Sequence, residues 1–375
     1  MSENALVMEA IKKAQESSIK AALATVVSVK GSAYRREGAM MLIDGAEKTT
    51  GMISGGCLES DVAETAKEVI VSGQPILKTY DLDEDLVWGL GLGCPGIVDI
   101  YIEPVPTRDE MTECRSFNRW LDCVKNQEEG VLVTILQTEG YADGGRMFIP
   151  KEGSPIGSLG DRFLNEKAAT IGLAKLNESN PKSESILMTR SDGVELLVFL
   201  DVYIPPVTLL IFGAGHDALP VAKLGVSLGM RTVVVDQRPA FNNEERFPGM
   251  KRLVINPAKF NEQIKITNRT YIVIMNHHID RDIETLKFVL PSNAAYIGLL
   301  GPRSRGNKLI HAIETEGIRV SDNKLAKLHS PIGLDIGSVT PEEIAISILA
   351  EIIAVRTGHH GGFLQGSQRI HGIVN

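Results

Sequence analysis

Three glycine-rich segments in the first part of the chain contain residue types that bind anions and soft metals. They are Gly31–Ile43, Gly51–Asp61 and Gly89–Pro104. Cys57 follows Ser54, Gly55 and Gly56 and opens a predicted helix, whose free N–H groups and dipole favour a thiolate. Such a thiolate could ligate a soft metal or accept sulfur.

The same segments supply groups that bind phosphate. Gly55 and Gly56 allow the backbone to approach a phosphate closely, and Arg35 and Arg36 could clamp one with their guanidinium groups. Cys94 lies in the third segment, which suggests one pocket with two cysteines. The alternatives are that each cysteine only fits a tight turn and that the adjacent arginines form a solvated face.

From Val207 to Pro239 the chain reads as a strand, a glycine turn, a helix and a second strand. Gly213, Gly215 and Ala218 give the pattern G-x-G-x-x-A, which makes a tight turn, lets a pyrophosphate approach the backbone and packs helix on strand. Asp236 follows about 20 residues later, where a carboxylate binds ribose hydroxyls. The pattern predicts a Rossmann unit.

Polar residues follow this unit's turn and strands. Arg238, two residues after the acid, leaves the choice between NAD and NADP open. His216 follows the second glycine, and His277, His278 and Asp280 follow the predicted fourth strand. Because the first and fourth strands of a Rossmann sheet are neighbours, we expect these groups to meet at the ligand-binding crevice. Their spacing favours hydrogen bonding or acid–base catalysis over metal binding.

A further predicted strand, YIGLLGPRSR, runs into a loop with Gly301, Arg303 and Arg305. Its arginines point towards the same edge of the sheet and could hold an anion. The start of a surface helix explains the pattern equally well.

The bulk properties exclude several classes of protein. The chain has 375 residues, 43% of them hydrophobic, which is enough for two or three domains with cores. A net charge of −8 argues against nucleic-acid or acidic-membrane partners. The amphipathic N-terminus lacks the apolar core of a signal sequence, and the longest apolar stretch, Ile344–Val355, contains Glu351, so we expect a cytoplasmic protein without a membrane span.

The element pattern predicts an N-terminal α+β domain, residues 1–204, and a doubly wound parallel Rossmann-like domain, residues 205–356, followed by a tail, residues 357–375. Pro205 and Pro206 mark the boundary. In the first domain we predict strands at Ala22–Val29, Ala39–Ile43, Ile97–Ile102, Val131–Thr138, Ile186–Thr189 and Val194–Tyr203. We predict helices to about Ser18 and at Cys57–Val71, Asp109–Lys125 and Gly160–Leu176.

Two further patterns concern the whole chain. The segments DIYIEPVP (Asp99–Pro106) and DVYIPPVT (Asp201–Thr208) are similar, which we attribute to chance rather than to equivalent strand ends. Thr340, Pro341 and Glu343 predict the start of a largely apolar C-terminal helix, whose exposed face could make a homo-oligomer. Packing on the chain's own sheet would satisfy the same pattern.

Taken together, the motifs resemble the xanthine dehydrogenase accessory factor family (XdhC/CoxI). The resemblance rests on Gly31-Ser32, Arg35-Arg36, SGGCLE (Ser54–Glu59), Gly93-Cys94, FGAGH (Phe212–His216), VVDQRP (Val234–Pro239), YIGLLGPRSR (Tyr296–Arg305), SPIGLDIG (Ser330–Gly337) and TPEEIAISILAEI (Thr340–Ile352). It implies binding of molybdenum cofactor (molybdopterin), protection of that cofactor during sulfuration and delivery to xanthine dehydrogenase or a related molybdenum hydroxylase, with a cysteine desulfurase as a further partner.

Carried over to this chain, the resemblance makes Cys57 and Cys94 the candidates for contacting molybdenum, and Gly213, Gly215 and Asp236 those for a nucleotide-like group. It favours a cofactor chaperone over an enzyme with turnover. Four cysteines without iron–sulfur spacing exclude a complete xanthine dehydrogenase.

Two rival functions remain open. One is an NAD(P)-dependent oxidoreductase, with His216, His277 or His278 as the proton donor. The other is a nucleotide-binding sensor that acts through a partner.

Overall fold

A computed structural model of the chain describes residues 3–31, 33–82, 96–107, 114–136, 145–178, 180–318 and 321–365. The chain divides into two compact units, Met1–Pro205 and Pro206–Asn375. Antiparallel sheets with helices form unit 1 and a parallel sheet forms unit 2, which confirms the predicted fold class. None of the helices within these ranges is long and apolar enough to cross a membrane.

The first half of unit 1 is a five-stranded antiparallel sheet in the order β3-β2-β1-β5-β4. Its elements are α1 (Glu3–Glu16), β1 (Ala21–Gly31), β2 (Met40–Asp44), β3 (Thr49–Gly51), α2 (Glu59–Ser72), β4 (Ile76–Leu82) and β5 (Gly96–Pro104). Residues 21–27 of β1 are all buried, because both faces of the sheet are covered. Val62 and Val69 of α2 pack on one face, and Val7 and Ile11 of α1 belong to the core on the other.

The second half of unit 1 repeats this pattern, with the strand order β8-β7-β6-β10-β9. Its elements are α3 (Arg115–Asn126), β6 (Gly130–Ile135), β7 (Arg146–Pro150), β8 (Ile156–Ser158), α4 (Arg162–Leu176), β9 (Glu184–Thr189) and β10 (Glu195–Tyr203). The segments DIYIEPVP and DVYIPPVT overlap β5 and β10, which hold equivalent places in the two sheets. The two segments are out of register, however, since β5 ends at the sixth residue of the first, Pro104, and β10 at the third residue of the second, Tyr203. The attribution of their similarity to chance therefore stays a prediction.

Strand register brings several connections of the first sheet to one end. Gly31, at the end of β1, pairs with Gly96 at the start of β5, and Leu82 at the end of β4 pairs with the same residue. Gly51, at the end of β3, pairs with Met41 near the start of β2. The segments after β1 and after β3 therefore leave the sheet towards the same end. Predicted elements at 109–113 and 137–138 lie outside the described residues.

Unit 2 is a six-stranded parallel sheet in the order β13-β12-β11-β14-β15-β16, the Rossmann arrangement. Its elements are β11 (Thr208–Phe212), α5 (Ala218–Ser227), β12 (Arg231–Val235), β13 (Lys251–Leu253), a 3₁₀ turn (Pro257–Lys259), α6 (Phe260–Gln263), β14 (Thr270–Ile274), α7 (Ile279–Val289), β15 (Tyr296–Leu299), α8 (Arg303–Thr315), α9 (Asp322–Leu325), β16 (Leu328–His329) and α10 (Pro341–Thr357). Helices α5 and α10 cover one face, and α7 and α8 cover the other.

Helix α10 begins as its sequence predicts. Thr340 is the N-cap, its side chain accepts the backbone N–H of Glu343, and the Glu343 carboxylate accepts the N–H of Thr340. Ile348 and Ile352 are fully buried in the core shared with α5, so this face of the helix packs on its own sheet.

Candidate functional site

The segment from Ser54 to Leu58 forms a turn that one serine hydroxyl holds in place. Ser54 Oγ accepts hydrogen bonds from the backbone N–H groups of Gly56 (3.2 Å), Cys57 (3.2 Å) and Leu58 (3.1 Å). Gly56 has φ of +103°, a conformation that other residues rarely adopt. Because this turn occupies the segment, α2 begins at Glu59 and not at Cys57.

Glu59 orients the serine. Its carboxylate accepts the Ser54 backbone N–H (2.8 Å) and the Ser54 hydroxyl proton, so the hydroxyl lone pairs face the turn's N–H groups. Burial alone would raise the pKa of Glu59, but its hydrogen bonds with Ser54 and with the backbone of Leu58 lower the pKa below its usual value. Glu59 lies within the SGGCLE motif, but no local sequence pattern indicates this role.

Cys57 is exposed, and its Sγ lies 3.5 Å from Ser54 Oγ. A Cβ placed on Gly55 would lie 3.5 Å from Cγ of Tyr34, so the tyrosine ring rests on the backbone of this turn. The structure thus brings together the Cys57 turn and the segment that carries Arg35 and Arg36, of which Arg35 is half-buried and Arg36 exposed.

Metal binding by several side chains finds no support within the part of the chain that the structure describes. No three His, Cys, Asp or Glu side chains lie close enough there to hold a metal ion. Cys94, the second predicted thiol contact, lies outside the described residues. Cys57 is therefore the candidate thiol that the structure positions.

The arginine segment passes close to a buried acid of the second half of unit 1. Gly38 has φ of +85°, and a Cβ there would lie 2.9 Å from Ser183 Oγ and 3.5 Å from Asp201 Oδ1. Ser183 Oγ donates to Asp201 (3.2 Å), and burial raises the pKa of Asp201 to about 7. Sequence reasoning missed this acid, although it interrupts an otherwise apolar strand.

In unit 2 the glycine turn is tied to the acid that follows β12. Gly213 has φ of +110°, and a Cβ there would lie 2.6 Å from the carbonyl oxygen of Met275, so only glycine fits. The Asp236 carboxylate accepts the N–H of Ala214 (2.9 Å) and three hydrogen bonds from Arg238. Burial alone would raise the pKa of Asp236, but these bonds lower it.

The second glycine of the turn lies beneath a carboxylate and an imidazole. A Cβ on Gly215 would lie 2.5 Å from Asp217 Oδ1 and 2.7 Å from His277 Nε2, and these two atoms are 3.6 Å apart. His277 is therefore brought to the turn as predicted from strand order. His277 is exposed, as are the other acid–base candidates at this edge, His216, His278 and Asp280.

Two residues without a sequence signal support this region: Arg246 holds the glycine turn, and Asn242 ties β12 to β13. Arg246 Nη2 donates to the carbonyl oxygens of Ala214 (3.1 Å) and Gly215 (3.0 Å). Asn242 Nδ2 donates to the carbonyl oxygens of Val234 (3.2 Å) and Leu253 (3.0 Å). Both residues come from an irregular segment whose sequence carries no periodic signal.

The two arginines predicted for the loop after β15 lie in the first turn of helix α8, and one of them has a structural role. Arg305 Nη2 donates to Asp282 Oδ2 (2.7 Å), an acid whose side chain is 1% exposed. Burial raises the pKa of Asp282 despite this partner. Gly301 has φ of +127°, and Arg303 is exposed at the start of α8.

Comparisons with known proteins agree with this architecture. A family model described as the XdhC Rossmann domain matches residues 209–352, and one described as the XdhC and CoxI family matches residues 14–81. The chain is 30% identical over 352 residues to a probable xanthine dehydrogenase subunit of Bacillus subtilis, covering 93% of this chain and 96% of the relative. It is 22% identical over 340 residues to the molybdenum cofactor insertion chaperone PaoD of Escherichia coli, covering 90% and 83%.

A solved structure gives the same result. The crystal structure of a xanthine dehydrogenase from Bacillus halodurans matches with a TM-score of 0.73 and 30% identity, over 95% of this chain and 96% of that one. This chain belongs to the XdhC and CoxI family.

Proposed function

We propose that this protein is an accessory factor that binds molybdenum cofactor, protects it during sulfuration and delivers it to a molybdenum hydroxylase such as xanthine dehydrogenase. The observation that carries the proposal is the exposed Cys57 thiol, held on a turn that Ser54 and Glu59 fix, next to an arginine segment. The names of the relatives support it, since one is a molybdenum cofactor insertion chaperone and others are named for xanthine dehydrogenase.

The chemistry of the turn suits a soft, anionic cargo. A cysteine thiolate is a soft ligand, as molybdenum–sulfur chemistry requires. Because Ser54 Oγ already accepts three successive backbone N–H groups, the turn offers a thiol and not a backbone cradle. The cargo's phosphate would then be held by guanidinium groups of the neighbouring segment, where Arg36 is exposed.

Exposure of the thiol favours delivery over turnover. A cofactor held at a surface thiol can pass to a partner without opening of the fold, whereas a buried site would need a conformational change. This chain then carries out no chemical step itself, and a cysteine desulfurase is the partner that supplies sulfur.

Cofactor content of the purified protein tests the site. The chain is expressed in cells that make molybdenum cofactor, purified anaerobically under reducing conditions, and assayed for released pterin by fluorescence. We expect pterin with the wild type and its loss from Cys57→Ser. Cys114→Ser is the matched control, because it makes the same substitution at a cysteine that directly precedes α3, in the second half of unit 1.

Two results would contradict the proposal. Wild-type protein without pterin would show that the protein does not bind the cofactor. Equal amounts of pterin in Cys57→Ser and wild type would show that the thiol is not part of the binding site. Far-ultraviolet circular dichroism of each variant verifies that the fold is intact.

A further inference from the structure

A cleft of about 610 Å³ opens beside the end of β12 in unit 2. Its lining includes Arg238, Phe241, Val254, Ile255 and Asn256, and Val254 is 47% exposed. This volume is within the range of ligand sites. In a Rossmann unit, the ribose and base of a bound nucleotide lie beyond the carboxyl end of this strand.

Asp236 occupies the position of the acid that binds ribose hydroxyls in such units, but all of its acceptor positions are taken by hydrogen bonds within this chain. Asp236 Oδ1 accepts the backbone N–H of Arg238 (2.9 Å) and its Nε–H (3.0 Å). Oδ2 accepts the N–H of Ala214 (2.9 Å) and Nη2 of Arg238 (2.6 Å). A carboxylate has about four lone-pair positions, so no acceptor is left for a ribose hydroxyl. The Asp236 side chain is also only 1% exposed.

Arg238 lines the cleft and keeps donors for a ligand. Its guanidinium has five N–H donors, of which Asp236 takes one on Nε and one on Nη2. Within the described part of the chain, no residue accepts the other three. The guanidinium stacks 4.3 Å from the ring centroid of Phe241, which fixes its plane, and the side chain is 27% exposed.

The glycine turn itself is poorly suited to a diphosphate. Asp217 Oδ1 lies over Gly215, at the position that a diphosphate would approach, and this oxygen is buried without a hydrogen-bond donor from the described residues. A carboxylate at that position opposes the negative charge of a diphosphate, and the nearby His277 Nε2, 3.6 Å from Oδ1, is too exposed to offset it fully. Affinity in this unit must therefore come from another anionic group.

We infer that this cleft binds an adenine nucleotide whose ribose carries a 2′-phosphate, and that Arg238 is the residue that selects it. A planar guanidinium with free N–H groups binds a phosphate through paired hydrogen bonds, which no saturated carboxylate can do. Val254 and Ile255 give an apolar surface for the base. The cleft belongs to unit 2 and the Cys57 turn to unit 1, and the inference does not depend on the proposed function.

Calorimetric titration of the wild-type protein tests the inference without any substitution. We expect 2′-AMP to bind roughly 10-fold to 100-fold more tightly than 5′-AMP, the usual worth of hydrogen bonds to a charged group, and NADP⁺ to bind more tightly than NAD⁺. Equal affinities within each pair, tighter binding of NAD⁺, or no binding of any of the four compounds would overturn the inference.

Substitution of the arginine locates the effect. Arg238→Lys keeps the positive charge but loses the planar donors, and Arg238→Ala removes both, so the preference for 2′-AMP should fall about tenfold or more in each. Arg231→Ala is the matched control, because Arg231 is exposed at the opposite end of β12 and should leave the preference unchanged.

Two further readouts keep the variants informative. Arg238→Ala leaves the buried Asp236 carboxylate with fewer donors, so thermal unfolding of each variant is measured beside its titration. If Arg238→Ala does not fold, Arg238→Lys and the wild-type comparison still test the inference. Unchanged 2′-AMP preference in Arg238→Lys would overturn the inference. So would loss of co-purified pterin from the Arg238 variants without loss of 2′-AMP preference, because the cleft would then hold the pterin.

Discussion

Replacement of Asp201 by asparagine should remove a strong pH dependence from the stability of unit 1. Asp201 is buried on β10 and receives one side-chain hydrogen bond, from Ser183 Oγ at 3.2 Å. Burial raises its pKa from 3.8 to about 7. Asparagine has nearly the shape of the protonated acid and cannot ionise, so Asp201→Asn isolates the cost of the charge.

The sign and magnitude follow from linkage. The unfolded chain releases the Asp201 proton near pH 3.8, whereas the folded chain keeps it to about pH 7. The unfolding free energy of unit 1 is therefore not reduced by this group below pH 3.8. It declines as the pH rises to about 7, and the reduction is constant above that pH. At about 1.4 kcal/mol per pH unit, the whole effect is about 4 kcal/mol, of which about 3 kcal/mol falls between pH 4.5 and pH 8.

Urea unfolding followed by tryptophan fluorescence measures this effect in unit 1, since both tryptophans, Trp88 and Trp120, belong to that unit. The difference in unfolding free energy between Asp201→Asn and the wild type should be about 3 kcal/mol larger at pH 8 than at pH 4.5, in favour of the variant. Asp122→Asn, which removes an exposed carboxylate, should gain far less. A gain below about 1 kcal/mol for Asp201→Asn would refute the assigned burial of the charge.

Three further changes test separate parts of the structure. Ser54→Ala removes the acceptor of three backbone N–H groups, so it should lower the unfolding free energy of unit 1 by about 1–3 kcal/mol in the same urea assay. Glu351→Gln should lose the contribution of this carboxylate to the stability of unit 2. The wild type has that contribution above about pH 4.5 and loses it at lower pH. Burial alone would raise the pKa of Glu351, but hydrogen bonds from His329, Tyr296 and Gly333 lower it, and circular dichroism melts at pH 3 and pH 6 follow the difference. Asp217→Asn should strengthen NADP⁺ binding by calorimetry about fivefold while leaving 2′-AMP unchanged, since only the dinucleotide places a charge near Gly215.

The parts of the fold with strong local patterns were predictable. The Rossmann strands β11 and β12, the turn between them and the capped start of α10 follow from glycine spacing, apolar runs and capping residues. The edge strand β4 and strand β7 were missed. Each is stabilised by pairing with another strand, β4 with β5 and β7 with β6, and such pairing leaves little local signal in the sequence. Likewise, the duplication of the two sheets is visible only in strand order.

The candidate site was predictable as a set of segments but not as a set of bonds. Sequence motifs identified Cys57 and Asp236, and the sheet topology explains why each lies at an end of its sheet. The sequence motifs could not reveal that Arg238 and Ala214 saturate the Asp236 carboxylate, or that Arg246 holds the glycine turn, because these contacts depend on side-chain geometry. Buried Asp201 shows the same limit, since only packing determines its pKa.

Cofactor delivery is tested most directly by following pterin from this protein to a hydroxylase. Cofactor-loaded protein is mixed anaerobically with an apo xanthine dehydrogenase, the two are separated by size, and the pterin on each is measured together with xanthine oxidation. We expect the pterin to move to the hydroxylase and oxidation to rise with it. Pterin that stays on this chain while the hydroxylase remains inactive would contradict the proposed function.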